Sequence, residues 1–149
     1  MLADPLEQKR RPRTIIEAKF SLPLTVALAL IRPEITLDSF TKDTLDDPSV
    51  LALAARTTFS PRSDWGHDRA AAGELTLVLR DGRTLHHEIS HALGEPSRPL
   101  SDQDLRSKFI DCAARAVSPV PADVAQRYFN RVMRLDHEED AAAALLSFC

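Results

Sequence analysis

Apolar positions are bunched along this chain, and the densest run, FSLPLTVALALI over residues 20–31, holds a proline, Pro23, inside it. Ser21 suits an N-cap, and proline is tolerated in a first helical turn, where its missing N–H would have been unpaired anyway. This predicts a helix from about Leu22 to Arg32 that stops at Pro33. Leu24, Val26, Ala27, Leu28, Leu30 and Ile31 then fall on nearly every side of it, a pattern that predicts burial all round. A rival reading starts the helix at Thr14, through the capping-box spacing of Thr14 and Glu17, and lets Pro23 bend it, at about 3 kcal/mol for an interior proline. The later start is preferred.

Such a helix needs neighbours, and TLDSFTKDTLDDPSVLALAART at 36–57 offers one from about Pro48 to Arg56. Thr57 to Trp65 reads as a weak strand, placed at an edge by Pro61, and Gly66 to Gly73 reads as a loop. The clearest β signal is ELTLVLRDGRTLHHEIS at 74–90, two alternating runs around Asp81-Gly82. A two-residue loop would put Leu75, Leu77 and Leu79 on the opposite face from Leu85 and Ile89. A three-residue loop, Arg80-Asp81-Gly82 with a left-handed Gly82, pairs Leu77 with Leu85 and gathers these residues on one face. The bulged turn is therefore predicted.

Ser101 and Asp104 have capping-box spacing, with an aspartate in place of the usual glutamate or glutamine. They predict a helix whose Leu105, Phe109, Cys112, Ala113 and Ala116 face the core. Pro119 and Pro121 separate it from a last long helix beginning near Ala122, in which Val124, Tyr128, Val132 and Leu135 recur at helical spacing. The tail LDHEEDAAAALLSFC predicts one further short helix. The pattern as a whole is α+β: a small antiparallel sheet, the central hairpin, packed with about four to five helices.

A chain of 149 residues fits one domain, read here as residues 14–149 preceded by a short N-terminal arm at 1–13. The arm has a basic cluster but no apolar core of a secretory signal. The run from Phe20 to Ile31 is too short for a membrane span, which needs about 20 apolar residues. A net charge of -3 and a pI near 5.9 leave no electrostatic footprint for nucleic acid. Cys112 and Cys149 make no ligand spacing, so a reduced, cytoplasmic setting is the simplest reading.

The polar residues offer little chemistry of their own. His87 and His91 share a face but lie about 13 Å apart at strand rise, so one strand cannot chelate through them, and His86 points the other way. Asp136, Glu138, Glu139 and Asp140 read as a solvated helix end. Ser21 lies outside any GxSxG pattern, so capping outweighs nucleophilic use. The four glycines are all separated, which rules out a phosphate-cradling loop, and Arg-Asp-Gly at 80–82 is a turn first.

Function enters through an ordered set of short patterns: DPLEQKRRPRTIIEAKFSLP at 4–23, the LTVALAL helix, the strand pair, GEPSRPLSDQDLRSKF at 94–109 and a closing LDHEED. In this order and spacing they resemble the carboxy-terminal domain of the MmgE/PrpD family, over almost the whole chain. That family includes 2-methylcitrate dehydratases, cis-aconitate decarboxylases and iminodisuccinate epimerases, which act on small polycarboxylates by proton abstraction next to a carboxylate, the characterised cofactor-free members needing no metal. The resemblance implies a lid domain that works with a large helical domain, usually within a homodimer, so a helical partner chain and self-association are both expected. The helical domain, to which most catalytic groups are ascribed, lies outside the resemblance.

At the family's cleft the resemblance leaves the EAKFSLP turn, and Lys19, Phe20, Ser21 and Leu24 are its candidate substrate-contacting residues. Backbone N–H groups at the start of the Leu22 helix would favour a substrate carboxylate through the helix dipole, and Lys19 would add charge, although a plain surface lysine is the alternative. Family members commonly carry a tyrosine, directed into the active site, where this chain has Leu24, which can neither donate a hydrogen bond nor shuttle a proton. No catalytic residue is assigned. The readings that remain are a lid part of such a lyase or isomerase, inactive alone; a noncatalytic module binding a carboxylate or a protein; and a truncated relic.

Overall fold

The computed structural model describes residues 2–146, which form two compact units, residues 2–64 and 65–146. Eight α-helices and one two-stranded antiparallel sheet are present among the described residues. The class is α+β as expected. The helices are more numerous than four to five because the chain breaks them into short pieces at Ser21, Pro33 and Asp47.

The first unit contains α1 (Leu6–Arg10), α2 (Ile15–Lys19), α3 (Leu22–Ile31), α4 (Lys42–Asp46) and α5 (Pro48–Arg56). Both readings of the N-terminal apolar run hold part of the truth. Thr14 does cap a helix, accepting the Glu17 N–H at 3.1 Å. That helix ends at Lys19, and a second starts after Ser21 with Pro23 in its first turn. Asp47 and Pro48 open α5 in the same way, the carboxylate accepting the Ser49 N–H at 2.8 Å.

Helix α3 packs on α5, and Leu24, Ala27 and Leu28 join Ala18, Leu45, Val50 and Ala54 in one buried cluster. The expectation that α3 is buried on every side is corrected. Leu22, Leu30 and Ile31 remain 38%, 43% and 45% exposed. A unit of this size supplies neighbours on only part of the helix surface, and the rest of its apolar side chains face outward.

The segment expected as an arm carries α1 and is tied to this core. Arg10 donates twice to the Thr57 carbonyl, at 2.9 and 3.1 Å, and the Leu22 N–H donates to the Leu2 carbonyl at 2.8 Å. Ala3 and Pro12 are buried. Residues 57–65 join no β-ladder among the described residues and so form no strand, and Arg62 and Asp64 close a local ion pair at 2.8 Å.

The second unit begins with the hairpin β1 (Gly73–Val78) and β2 (Thr84–Ile89). Leu77 lies opposite Leu85, and Gly82 has a φ of 85°, as the three-residue bulged loop requires. Leu75, Leu77, Leu79 and Ile89 are half-buried. Helix α6 (Asp102–Ala114) starts with a complete box: the Asp104 N–H donates to Ser101 Oγ, and the Ser101 N–H to the Asp104 carboxylate, each at 3.1 Å.

Helix α6 packs on α7 (Ala122–Val132), with the Phe109 ring 5.9 Å from Tyr128 and 5.7 Å from Phe129. Ala125 and Phe129 are the buried residues of α7, whereas Val124, Tyr128 and Val132 are half-buried flanks; Leu135, expected in the same helix, lies beyond its end in a separate turn and is half-buried too. Cys112 and Ala116, expected in the core, are exposed: the contact with α7 occupies a narrower stripe of α6 than Cys112 needs, and α6 ends at Ala114, before Ala116. Cys149 lies outside the described residues. Helix α8 (Ala141–Leu146) supplies the short helix expected in the tail.

Candidate functional site

The joint between α2 and α3 carries the four candidate residues, and its geometry separates them into two pairs. The last turn of α2 closes when the Phe20 N–H reaches the Ile16 and Glu17 carbonyls, both at 3.2 Å, and the Ser21 N–H reaches Ala18 at 3.1 Å. The Lys9 ammonium then donates to the Phe20 carbonyl at 2.7 Å. Ser21 is 1% exposed, and its hydroxyl works in both directions, donating to the Lys9 carbonyl and accepting the Leu24 N–H at 3.1 Å.

Ser21 and Leu24 therefore point inward. Leu24 is wholly buried, within the cluster between α3 and α5. Lys19 and Phe20 point outward, Phe20 being 58% exposed and Lys19 having no ion pair among the described residues.

The start of α3 does not offer open donors. The Leu22 N–H is taken by the Leu2 carbonyl, Pro23 has none, Leu24 donates to Ser21 Oγ, and Thr25 donates to the Ser21 carbonyl at 3.0 Å. A buried turn must satisfy its backbone groups internally, and here the chain's own N-terminal segment does so. The start of α3 thus presents no open amide cradle.

The joint is also bordered by uncovered hydrocarbon. Ile15, Ile16, Phe20 and Leu22, with Leu30 and Ile31 at the far end of α3, are all exposed, Ile16 by 71%. Singly exposed apolar side chains are ordinary; here six are gathered along two short helices and the joint between them.

The histidines stand apart from the joint in sequence and do not converge. His86 Nδ1 lies 3.3 Å from Thr76 Oγ1 and 3.8 Å from the Glu74 carboxylate. His91 Nδ1 lies 3.1 Å from Glu95, whose other oxygen accepts the Ala92 N–H at 3.0 Å. These contacts fold the 91–98 loop. No group of three or more potential metal ligands comes together among the described residues. Of the acidic tail, Glu138 meets Arg131 at 3.4 Å and Asp140 accepts the Ala143 N–H at 2.9 Å.

Sequence reasoning missed a groove of about 910 Å³ in the first unit, lined by Lys9, Arg11, Arg13, Glu17, Lys42 and Asp46. The signal was there in the basic cluster at 9–13, but its partner across the groove, α4, could not be paired with it from spacing.

The element order, with the α2–α3 joint, the bulged hairpin and the capped α6, coincides with a match over residues 3–133 to the family model of the MmgE/PrpD C-terminal domain. The chain belongs to the MmgE/PrpD family. A curated relative, cis-aconitate decarboxylase of Mus musculus, is 27% identical over 128 residues, covering 85% of this chain and 25% of that protein. This MmgE/PrpD chain thus spans a quarter of the length of the relative it matches. No helix among the described residues is long and apolar enough to cross a membrane.

Proposed function

We propose that this chain is the lid part of an MmgE/PrpD-type lyase or isomerase that acts on small polycarboxylates of the methylcitrate or aconitate kind, in the cytoplasm. It works with a helical partner chain or domain and is inactive alone. The observation that carries this reading is the α2–α3 joint itself, where outward Lys19 and Phe20 stand among exposed apolar side chains of the family's own EAKFSLP element. Docking of a helical surface there would bury Ile15, Ile16, Phe20 and Leu22 and leave Lys19 at the edge of a cleft, facing a substrate carboxylate.

Proton abstraction next to a carboxylate needs an acid and a base within hydrogen-bond reach of the reacting carbon and leaving group. The joint supplies charge and shape but no such pair, so the partner supplies both. Mixing the chain with the helical domain of an MmgE/PrpD protein, and following dehydration or decarboxylation of citrate-like acids, tests the proposal. Turnover is expected only in the mixture. In that mixture Lys19→Ala would raise KM about 10-fold or more, since a hydrogen bond to a charged group contributes about 1.5–3 kcal/mol.

One observation favours a second reading, a noncatalytic module that binds a carboxylate or a protein. Where the family resemblance leads one to expect an active-site tyrosine, Leu24 is wholly buried in the core. Tight binding of a polycarboxylate to the chain, with no turnover in any mixture, would select that reading.

A further inference from the structure

The groove between α1, α2 and α4 has a charged lining that divides by commitment. Glu7 pairs with Arg10 at 2.8 Å, the Glu17 carboxylate accepts the Arg13 N–H at 2.7 Å, and the Lys9 ammonium is held by the Phe20 carbonyl. Arg11, Arg13 and Lys42 line the same groove, and their side chains have no hydrogen bond or ion pair among the described residues. The one acid of the lining in the same condition is Asp46.

Of the lining carboxylates only Glu7 has a cation partner among the described residues, Arg10, so Glu17 and Asp46 keep their charge against Lys9, Arg11, Arg13 and Lys42, and a ligand with two or more negative charges balances that excess of positive charge. Arginine's planar fork matches carboxylate and phosphate oxygens two at a time, and lysine adds a point charge. We infer that this groove is a binding site for a small multivalent anion of the phosphate or carboxylate class, held by Arg11, Arg13 and Lys42. Lys19 is not among the lining residues, and the site does not require the catalytic proposal.

Lys9 connects the groove to the joint, since it lines the one and its ammonium and carbonyl hold Phe20 and Ser21 in the other. An anion that draws the Lys9 ammonium inward weakens its hold on the Phe20 carbonyl, so occupancy of the groove is read at the α2–α3 joint.

The test titrates inorganic pyrophosphate and, separately, citrate into the isolated chain at low salt, by calorimetry and by amide chemical shifts. Saturable one-to-one binding of either anion is expected, with shifts at residues 9–13 and 42–46 and at Phe20 and Ser21. Pyrophosphate alone would mark a phosphate ligand, citrate alone a polycarboxylate one, and either supports the site. The double variant R11Q/R13Q is expected to weaken binding 10-fold or more with an unchanged circular dichroism spectrum. Arg80→Gln, the same kind of charge removal on the hairpin loop, is expected to leave it unchanged. Non-saturating binding of both anions, or equal weakening by the hairpin variant, would overturn the inference. Neither result depends on turnover, so the catalytic proposal stands or falls apart from it.

Discussion

Replacing Ser21 by alanine separates a structural from a ligand-binding role at the joint. The hydroxyl is buried and holds two groups: it caps the buried Leu24 N–H and donates to the carbonyl of half-buried Lys9. Loss of an N-cap costs about 0.5–2 kcal/mol. A buried donor or acceptor left without a partner costs about 1–3 kcal/mol. The two stranded groups are neighbours and relax together, so their costs do not simply add, and a total of about 2–4 kcal/mol is expected. Urea unfolding followed by far-ultraviolet circular dichroism reads this directly. With a urea m-value of about 2 kcal/mol/M, the middle of the usual range, the midpoint falls by roughly 1–2 M while the slope is unchanged. A loss below about 0.5 kcal/mol, the range of ordinary surface substitutions, would refute the reasoning and return Ser21 to the list of residues kept for a ligand.

Three further outcomes are expected. Leu24→Tyr forces a larger ring and a hydroxyl into a fully buried site and destabilises the chain by about 1–3 kcal/mol or more; an unchanged thermal midpoint would contradict the inward placement. Gly82→Ala costs about 1–2 kcal/mol because its φ of 85° is left-handed, with Gly82→Asn costing less, and hairpin amide exchange reports both. The Ser101 hydroxyl, and then its N–H, hold the Asp104 carboxyl below its usual 3.8. Its folded pKa is therefore depressed, so the cap contributes fully above the unfolded value and is lost as pH falls through the folded one. Helicity of α6 should decline on acidification below pH 3.8, and Ser101→Ala should flatten that decline.

What could be read from the sequence was local. Ser21 with Pro23 and Ser101 with Asp104 each mark a helix start by their own side chains, and the structure uses both. The hairpin register followed from requiring Leu77 and Leu85 to share a face. What escaped depended on distant partners. Helix α1 has five residues and no side-chain cap, and the Arg10 contact to Thr57 that anchors it spans 47 positions. Within α7, periodicity could not choose between Val124 with Tyr128 and Ala125 with Phe129, because the choice is made where α6 brings Phe109.

The candidate site shows the same limit. An almost uniformly apolar helix contains no signal for which side meets the core, so the inward Leu24 and the outward Leu22, Leu30 and Ile31 could not be told apart. Nor could sequence show that the open end of α3 is already filled by the Leu2 carbonyl and Ser21. Lys19 and Phe20 keep their candidacy because the joint turns them outward.

The most direct test of the central claim is capture of partners by the tagged chain from its source lysate, with mass spectrometry of the bound chains and turnover of citrate-like acids by the recovered complex. The account predicts recovery of a helical MmgE/PrpD chain, and turnover by the complex but not by the isolated chain. Recovery of the chain alone as a homo-oligomer, without turnover and with polycarboxylate bound, would contradict the lid proposal and establish the noncatalytic module instead.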